Sequence, residues 1–383
     1  MPTRKVILPI VAVIALLAIV WFARRDNSAD APATKVAQVI HAAASAVSIP
    51  ASEPTPRGRL MAARAKLSGT ADDWCNLPVI PPARQVTGAE PDDPAALKSI
   101  ESTPAFQAFT ASVLRIDATL RASSDPYANA VAIWLNLPQD ELGEGAVPEA
   151  ERRRQLTAMA VATTDPRIYA MAFHTCRQSP DDGCYALNAR RWAELDTGNA
   201  EPWVYLFHDA VQANDASGQE EALFHMAAAA RVDERWFAPI APIATASNGS
   251  NADAMAVFAL SEMTLGMSAA QFEPSFTMMV SCRKAAQVDA NRSQLCLKIA
   301  DLQFDHSDQP MGRLRGAALT WRMTGDASRK NVAGQEINLW NERLKFPPAT
   351  CDQLHQQADW LESMATRGPQ ATLRAMGASS PTP

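Results

Sequence analysis

The chain has 383 residues, of which 47% are hydrophobic and 20% are charged, with a formal net charge of −6. Alanine, the best helix former and a poor strand former, accounts for 72 residues, whereas there are only 16 glycines. This composition argues against an all-β sandwich or barrel and against a βαβ protein with glycine-rich turns. We therefore expect an all-α fold. The acidic balance also argues against a general nucleic-acid binder, so we expect no nucleic-acid partner.

The first 25 residues have the pattern of a signal anchor. Residues 6–23 carry no charged side chain, Arg4-Lys5 precede them, and Arg24-Arg25 follow. As a helix, this run would be about 27 Å long, close to the roughly 30 Å of a bilayer core. The sequence therefore predicts one transmembrane helix, through which the chain would contact the inner membrane.

A cleaved signal peptide is the alternative interpretation of the same residues. Its apolar core is usually roughly 7–15 residues long and is followed closely by a small-x-small site. Here the run is longer, and the candidate sites at residues 29–31 and 31–33 lie further downstream. The flanking basic residues slightly favour a cytoplasmic amino terminus. We expect a single-pass protein of a bacterial inner membrane with its C-terminal domain in the periplasm; a secreted or periplasmic protein is the alternative after cleavage.

Three further segments follow the anchor. Residues 26–57 are rich in Ala, Pro and Ser, which predicts an extended tether. Residues 58–376 contain repeated helical patterns and predict an α-helical domain, and residues 377–383 predict a disordered tail. Anchor, tether and domain together resemble the layout of uncharacterised envelope proteins of Gram-negative bacteria.

Apolar residues recur at helical spacing within the domain. One stripe comprises Phe106, Phe109, Val113, Ile116 and Leu120, and another comprises Leu295, Ile299 and Leu302. The breaks at Asp125-Pro126, Asp165-Pro166 and Glu201-Pro202 follow one another after 40 and 36 residues, a spacing that suits helix–turn–helix repeats. We expect an irregular array of helical hairpins, similar to an α-solenoid, after the transmembrane helix.

Four helices are predicted in the middle of the domain, at residues 167–178, 184–196, 202–214 and 218–231. The last pair resembles a tetratricopeptide repeat: Trp203 and Leu206 match the opening of that motif, and Ala222 and Met226 match its second helix. Phe207 and Ala210 depart from the motif, and residues 215–218 have the character of an insertion. The resemblance covers residues 202–233 and implies helical-hairpin packing. It implies no peptide-binding groove, because the matched positions are packing positions.

The six cysteines are the candidate disulfide residues: Cys75, Cys176, Cys184, Cys282, Cys296 and Cys351. Cys176–Cys184 and Cys282–Cys296 each lie near the end of one predicted helix and the start of the next, so each bridge would join two helices. A Cys75–Cys351 bridge would connect the first part of the domain to the last. Six cysteines allow 15 pairings, so this pairing is a preference, and free buried cysteines in a cytosolic protein are the alternative.

No catalytic constellation is present in the sequence. It contains neither Gly-x-Ser-x-Gly nor His-Glu-x-x-His nor a Walker loop, and we predict no cofactor and no metal. The best candidate ligands for a hard cation are Asp301, Asp305, His306 and Asp308, but a solvated helix face explains them more simply. We expect a solvated face for Arg152-Arg153-Arg154 too, and a helix-end position beside a disulfide for His174.

The leading hypothesis is a membrane-tethered, periplasm-facing helical protein that acts by protein–protein interaction with an envelope protein as partner. One alternative is a cell-envelope enzyme whose site is built from dispersed Asp, Glu and His residues. Another is a helical binding protein for a small amphiphile.

Overall fold

The computed structural model describes residues 104–137, 147–178, 182–269, 273–285, 289–343 and 351–379. All of these belong to one compact unit. Within these ranges there are fifteen α-helices and no β-strand, which confirms the all-α prediction. None of these helices is both long and apolar enough to span a bilayer. The predicted anchor (residues 1–25), the tether (26–57) and Cys75 lie outside the described residues.

The helices are introduced here in chain order. They are α1 (Pro104–Arg121), α2 (Pro126–Leu135), α3 (Glu149–Ala162), α4 (Pro166–Gln178), α5 (Ala189–Leu195), α6 (Glu201–Gln212), α7 (Ala216–Ala228), α8 (Ile240–Thr245), α9 (Asn251–Ala269), α10 (Glu273–Ala285), α11 (Ala290–His306), α12 (Pro310–Thr324), α13 (Ser328–Arg343), α14 (Cys351–Arg367) and α15 (Pro369–Ser379). The last helix includes residues 377–379 of the predicted tail.

The Asp-Pro and Glu-Pro breaks in the sequence are helix starts. Pro126 and Pro166 are the first residues of α2 and α4, where a missing N–H costs no intrahelical hydrogen bond. Asp125 caps α2 by accepting a hydrogen bond from the Tyr127 N–H. Asp165 accepts from the Arg167 N–H in the same way at the start of α4, so the two Asp-Pro breaks that lie 40 residues apart are capped helix starts.

The helical stripes predicted from sequence are buried. On α1, Phe109, Val113, Ile116 and Leu120 are each no more than 5% exposed. On α11, Ile299 and Leu302 are buried as well, so the acidic side of this helix faces away from the core. Amphipathic periodicity alone therefore identified which face of these helices packs inward.

Two predicted boundaries in the repeat region were wrong. The helix expected at residues 184–196 is divided into a 3-10 turn (Asp182–Ala186) and α5, because Asn188 is extended and its side chain caps α5 through the Arg191 N–H. Helix α7 begins at Ala216, two residues before the predicted start at 218, where Asp215 caps it by accepting a hydrogen bond from the Gly218 N–H. In both cases the side chain of the N-cap residue fixes where the helix begins.

Helices α6 and α7 form the hairpin that the tetratricopeptide resemblance implies. Val204, Phe207, Leu223 and Met226 from the two helices are all within 1% of complete burial and pack in one hydrophobic cluster with residues of α10, α11 and α12. The contacts are not restricted to sequential neighbours, however. Helix α1 packs on α9, and α9 packs on α14, whereas each repeat of a solenoid contacts only the next one.

Helix α12 crosses α11 at very short range. A Cβ atom added at Gly316 would lie 2.5 Å from the Ala300 carbonyl oxygen and 2.6 Å from the Phe304 nitrogen. Both atoms are backbone, so neither can rotate away. The glycine is therefore required for this close approach of α12 to α11.

We expect Gly316→Ala to lower the free energy of unfolding by roughly 1–3 kcal/mol, because the added methyl group forces α11 and α12 apart. Chemical denaturation of the full chain in mild detergent measures this change. Gly334→Ala on α13 is the matched control, since open space surrounds that position, and it should be neutral or stabilising by roughly 0.5–1 kcal/mol. Equal effects of the two substitutions would contradict the close crossing.

Candidate functional site

Three chain turns are hydrogen-bonded side by side. The connector (residues 229–235, between α7 and α8) donates hydrogen bonds from the Arg231 N–H to the Gly198 carbonyl (3.1 Å) and from the Val232 N–H to the His306 carbonyl (3.1 Å). It also accepts one from the Asp308 N–H at the Val232 carbonyl (2.9 Å). The connector is thereby held between the turn that precedes α6 and the turn that joins α11 to α12.

Asn199 fixes one side of this arrangement with all of its side-chain hydrogen-bonding capacity. Its Oδ1 accepts from the N–H groups of Glu201 (3.1 Å) and Asp233 (2.9 Å), and its Nδ2 donates to Asp196 Oδ2 (2.8 Å) and to the Asp233 carbonyl (3.0 Å). The residue is 1% exposed. If the amide were removed, the Glu201 N–H and Asp196 Oδ2 would lose a hydrogen bond in a buried position, and the Asp233 N–H and carbonyl would lose one in a part-buried position.

Asp308 fixes the other side. Its carboxylate accepts hydrogen bonds from the N–H groups of Glu234 (3.0 Å) and Arg235 (3.2 Å), and Arg235 has the unusual positive φ of 59°. Burial and the neighbouring acids Asp233 and Glu234 raise the pKa of Asp308 well above its usual range, and its side chain is hydrogen-bonded to that of Asp233.

Glu201 and Glu234 lie behind this pair, together with Arg315 of α12. Glu234 forms an ion pair with Arg315, and all three residues are less than one tenth exposed. Burial, followed by the charge of Glu234, raises the pKa of Glu201 to about 8, while Arg315 opposes the shift. Glu201 is therefore a neutral acid at neutral pH.

Several buried polar atoms of this group have no hydrogen-bond partner among the described residues. They are Oε2 of Glu201 and both Nε and Nη1 of Arg315. An unpaired donor beside an unpaired acceptor in a buried position is a place where ordered water is expected. The positive charge of Arg315 favours an ionised Glu201, but burial and the charge of Glu234 outweigh it.

We call the five acids around these turns the carboxylate cluster: Asp196, Glu201, Asp233, Glu234 and Asp308. Three guanidinium groups face it, because Arg231 and Arg235 both form ion pairs with Asp196 and Arg315 pairs with Glu234.

A buried group of aromatic side chains lies next to the following turn of α6, beyond Glu201. Tyr205, one turn further along α6, hydrogen-bonds through its hydroxyl to Nδ1 of His174 at 3.1 Å. Phe173 and Trp192 pack edge-on or tilted around this pair, with ring centroids 5.1–5.8 Å from His174. Burial and the charge of Arg177 lower the pKa of His174 to about 3, so the imidazole is neutral.

Both predicted local disulfides are present. Cys176–Cys184 joins the end of α4 to the 3-10 turn, and Cys282–Cys296 joins α10 to α11. All four residues are less than 9% exposed. Cys75 lies outside the described residues and nothing is described of the Cys351 side chain, so a Cys75–Cys351 bridge stays a prediction.

The acids considered as cation ligands do not converge. Asp301 forms an ion pair with Arg329, and Asp305 lies 3.8 Å from the same guanidinium, whereas Asp308 lies in the carboxylate cluster. In the described ranges no three His, Cys, Asp or Glu side chains are placed to hold a metal ion. His174 lies beside a disulfide, as expected, and its Nδ1 is occupied by Tyr205.

The expectation of a solvated face for the arginine run was wrong at its first member. Arg152 is 3% exposed, and its Nη1 donates to the Trp134 carbonyl at 2.6 Å, near the C-terminal end of α2. A guanidinium in this position satisfies a carbonyl that no longer has a helical partner and interacts favourably with the helix dipole. Arg154 does lie on the surface, where it pairs with Glu151.

No protein-family model, curated protein sequence or solved structure matches the chain. The carboxylate cluster is therefore assigned from geometry alone. Sequence reasoning missed Asn199, Glu201, Glu234 and Arg315, since they belong to no motif. The one available signal was Glu201-Pro202, which marks a helix start that places an acid in the first turn.

We expect Asn199→Ala to destabilise the protein by roughly 2–4 kcal/mol, because four hydrogen bonds are lost and two of their partners, the Glu201 N–H and Asp196 Oδ2, stay buried. Thermal and urea unfolding of the full chain measure this effect. Asn291→Ala is the control, since Asn291 is exposed in the first turn of α11. A loss at Asn199 no larger than that at Asn291 would show that the three turns are not held by this amide.

His174 should make the protein less stable in acid. Its folded pKa of about 3 lies below its ordinary value of 6.5, so the unfolded chain binds a proton that the folded chain excludes. Stability is then lost as the pH falls from about 6.5 towards 3, with roughly 2 kcal/mol already lost at pH 5. His174→Gln, which can still bond to Tyr205 but does not titrate, should reduce the slope of unfolding free energy against pH. The same substitution at exposed His306 is the control, and identical slopes for wild type and His174→Gln would contradict the assignment.

Proposed function

We propose that the chain is a membrane-tethered protein whose helical domain lies in the periplasm and acts by protein–protein interaction. The observation that carries this proposal is the presence of two disulfides within the described helices. Disulfides persist in oxidising compartments and are rare in the cytosol. The predicted anchor at residues 6–23 and tether at 26–57 support the same location, because they would hold the domain outside the inner membrane.

The surface of the helical-hairpin array supports a protein partner. Phe224 on α7 and Tyr185 in the 3-10 turn are 59% and 84% exposed, and Phe276 and Val280 are exposed one turn apart on α10. Exposed aromatic side chains are enriched at protein interfaces relative to the rest of the surface. An envelope protein that binds these side chains is the partner we propose.

The geometry of the carboxylate cluster favours an interaction protein over the enzyme alternative. A buried acid with a raised pKa is a common sign of catalysis. However, Glu201, Glu234 and Arg315 are each at least 91% buried and face one another across three chain segments. A substrate could reach Glu201 only if these segments separated, so we assign the cluster a role within the fold.

A reporter fusion tests the location. A periplasm-active enzyme fused after residue 60 should be active in cells, and alkylation followed by mass mapping without reduction should find Cys176–Cys184 and Cys282–Cys296 bonded. The same fusion made before the apolar run, after Lys5, is the control and should be inactive. An inactive fusion after residue 60, or free thiols at all four cysteines, would contradict a periplasmic domain.

Site-specific photo-crosslinking tests the mode of action. A photoreactive residue at Phe224 or Phe276 should give a discrete adduct with an envelope protein in intact cells. The matched control is Gln356, an exposed polar position on α14, which should not give the same adduct. Adducts that are absent, or equally frequent at all three positions, would contradict a specific interface at the exposed aromatic residues.

A further inference from the structure

The turn between α4 and α5 carries an aromatic side chain that lies almost wholly in solvent. Tyr185 is 84% exposed, more than any other large hydrophobic side chain in the described ranges, whereas Cys184 before it and Leu187 after it are buried. The Leu187 N–H donates a hydrogen bond to the Cys184 carbonyl (3.0 Å), and the 3-10 turn packs against α3. We call residues 184–188 the tyrosine turn.

Two side chains of α4 hold the tyrosine turn at its two ends. The disulfide to Cys176 fixes Cys184. At the other end, the hydroxyl of the buried Tyr169 accepts a hydrogen bond from the Asn188 N–H (3.1 Å) and donates one to the Asn188 carbonyl (3.3 Å). The backbone on both sides of Tyr185 is therefore fixed to the same helix.

The fold itself makes no use of the Tyr185 side chain. Among the described residues, no hydrogen bond, ion pair or ring contact involves it. A tyrosine has only two rotatable side-chain bonds and offers a large amphipathic contact area, so ordering it at an interface costs little conformational entropy. The two fixed ends of the turn also remove most of the cost of ordering the backbone on binding. Tyr185 therefore has the properties of a preorganised contact residue.

The charge around the tyrosine turn indicates the charge of a partner. Each of the three arginines in residues 176–191 is neutralised by a carboxylate, and this stretch contains no other basic residue. The ion pairs are Arg177–Asp209, Arg190–Glu221 and Arg191–Glu194. The loop that the disulfide closes adds two further acids, Asp181 and Asp182. The net charge of this region is therefore negative, and complementarity favours a basic partner surface.

We propose that Tyr185 is the principal contact residue through which the domain binds its protein partner, and that the partner presents an apolar pocket bordered by lysine or arginine side chains. This inference rests on the proposed function and assigns the binding site for it. The aromatic ring occupies the pocket, and the acidic loop balances the basic border. A membrane surface fits less well, because the negative charge of the loop opposes anionic lipid headgroups.

Photo-crosslinking in intact cells tests the contact. A photoreactive phenylalanine analogue in place of Tyr185 should give one discrete adduct, and mass spectrometry of the adduct should locate the link at an apolar residue flanked by lysine or arginine. The matched control is Val332 on α13, which is also an exposed apolar position and should not give this adduct.

The affinity of the full chain, in mild detergent, for the partner that the adduct identifies tests the role of the ring. Tyr185→Ala should weaken binding about tenfold or more, as expected for a residue that carries much of the binding energy. Tyr185→Phe keeps the ring and should bind within about threefold of the wild type. Because the side chain makes no contact within the described fold, both variants should keep the wild-type free energy of unfolding.

A substitution beneath the turn tests preorganisation. Tyr169→Phe keeps the buried ring but removes both hydrogen bonds to Asn188, so it should weaken binding about threefold or more by freeing one end of the turn. The matched control is Tyr127→Phe on α2, a buried tyrosine whose ring lies under Arg167. It should leave the affinity unchanged.

Neutralising the loop tests the charge of the partner. Changing Asp181 and Asp182 together to asparagine should lower the association rate and weaken its dependence on salt. The control changes two exposed acids of α14 in the same way, Asp359→Asn with Glu362→Gln, and should leave both quantities unchanged. Equal association rates for the two double variants would overturn the basic border.

The outcomes separate this inference from the proposed function. Adducts at Phe224 or Phe276 without one at Tyr185, or an affinity of Tyr185→Ala equal to that of the wild type, would overturn the role of Tyr185 and leave the proposed function standing. A Tyr185 adduct with lipid would overturn a protein partner at this turn. Adducts at none of the three positions would overturn both.

Discussion

The connector between α7 and α8 is the segment on which the described structure depends. It has no regular secondary structure, and its backbone is satisfied by the turn before α6 on one side and by the α11–α12 turn on the other. Buried backbone groups must be paired somewhere, so these two turns cannot move independently of the connector. The apolar faces of the hairpins bring the helices together, but they leave sliding and rotation open. Directional hydrogen bonds between the turns remove that freedom.

Close approach between helices follows from this alignment. Once the α11–α12 turn is fixed against the connector, the first turn of α12 lies directly beside Glu234, and a Cβ atom at Gly312 would be 3.0 Å from its Oε1. One turn later, Gly316 brings α12 against the backbone of α11. The negative carboxylate at the amino end of α12 also interacts favourably with the helix dipole. The hydrogen bonds that align the turns and the two glycines that permit close contact therefore position the same helix, α12, from its first turn onwards.

The parts of the structure that the sequence predicted are those determined by neighbouring residues. Helical stripes such as Val113, Ile116 and Leu120, and proline-marked helix starts, depend on local periodicity and capping. The two disulfides follow from cysteines that flank short turns. The carboxylate cluster could not be predicted, because Glu201, Glu234 and Arg315 are 33 and 81 residues apart and meet only through tertiary packing. Arg152 was misjudged for a related reason, since its burial depends on the end of α2 and not on its own helix.

Clusters of buried charges seldom contribute more to the free energy of unfolding than well-packed apolar residues would. Desolvating Glu234 and Arg315 costs several kcal/mol per ion before any attraction is counted, and apolar residues of similar volume often stabilise a core as well or better. Apolar contacts, however, depend little on direction and not at all on protonation. The cluster differs, because its hydrogen bonds are directional and set one alignment of three turns. The packing of α9 on α1 and α14 elsewhere in the domain does not depend on these hydrogen bonds. The cluster therefore fixes an alignment that the apolar faces alone leave open.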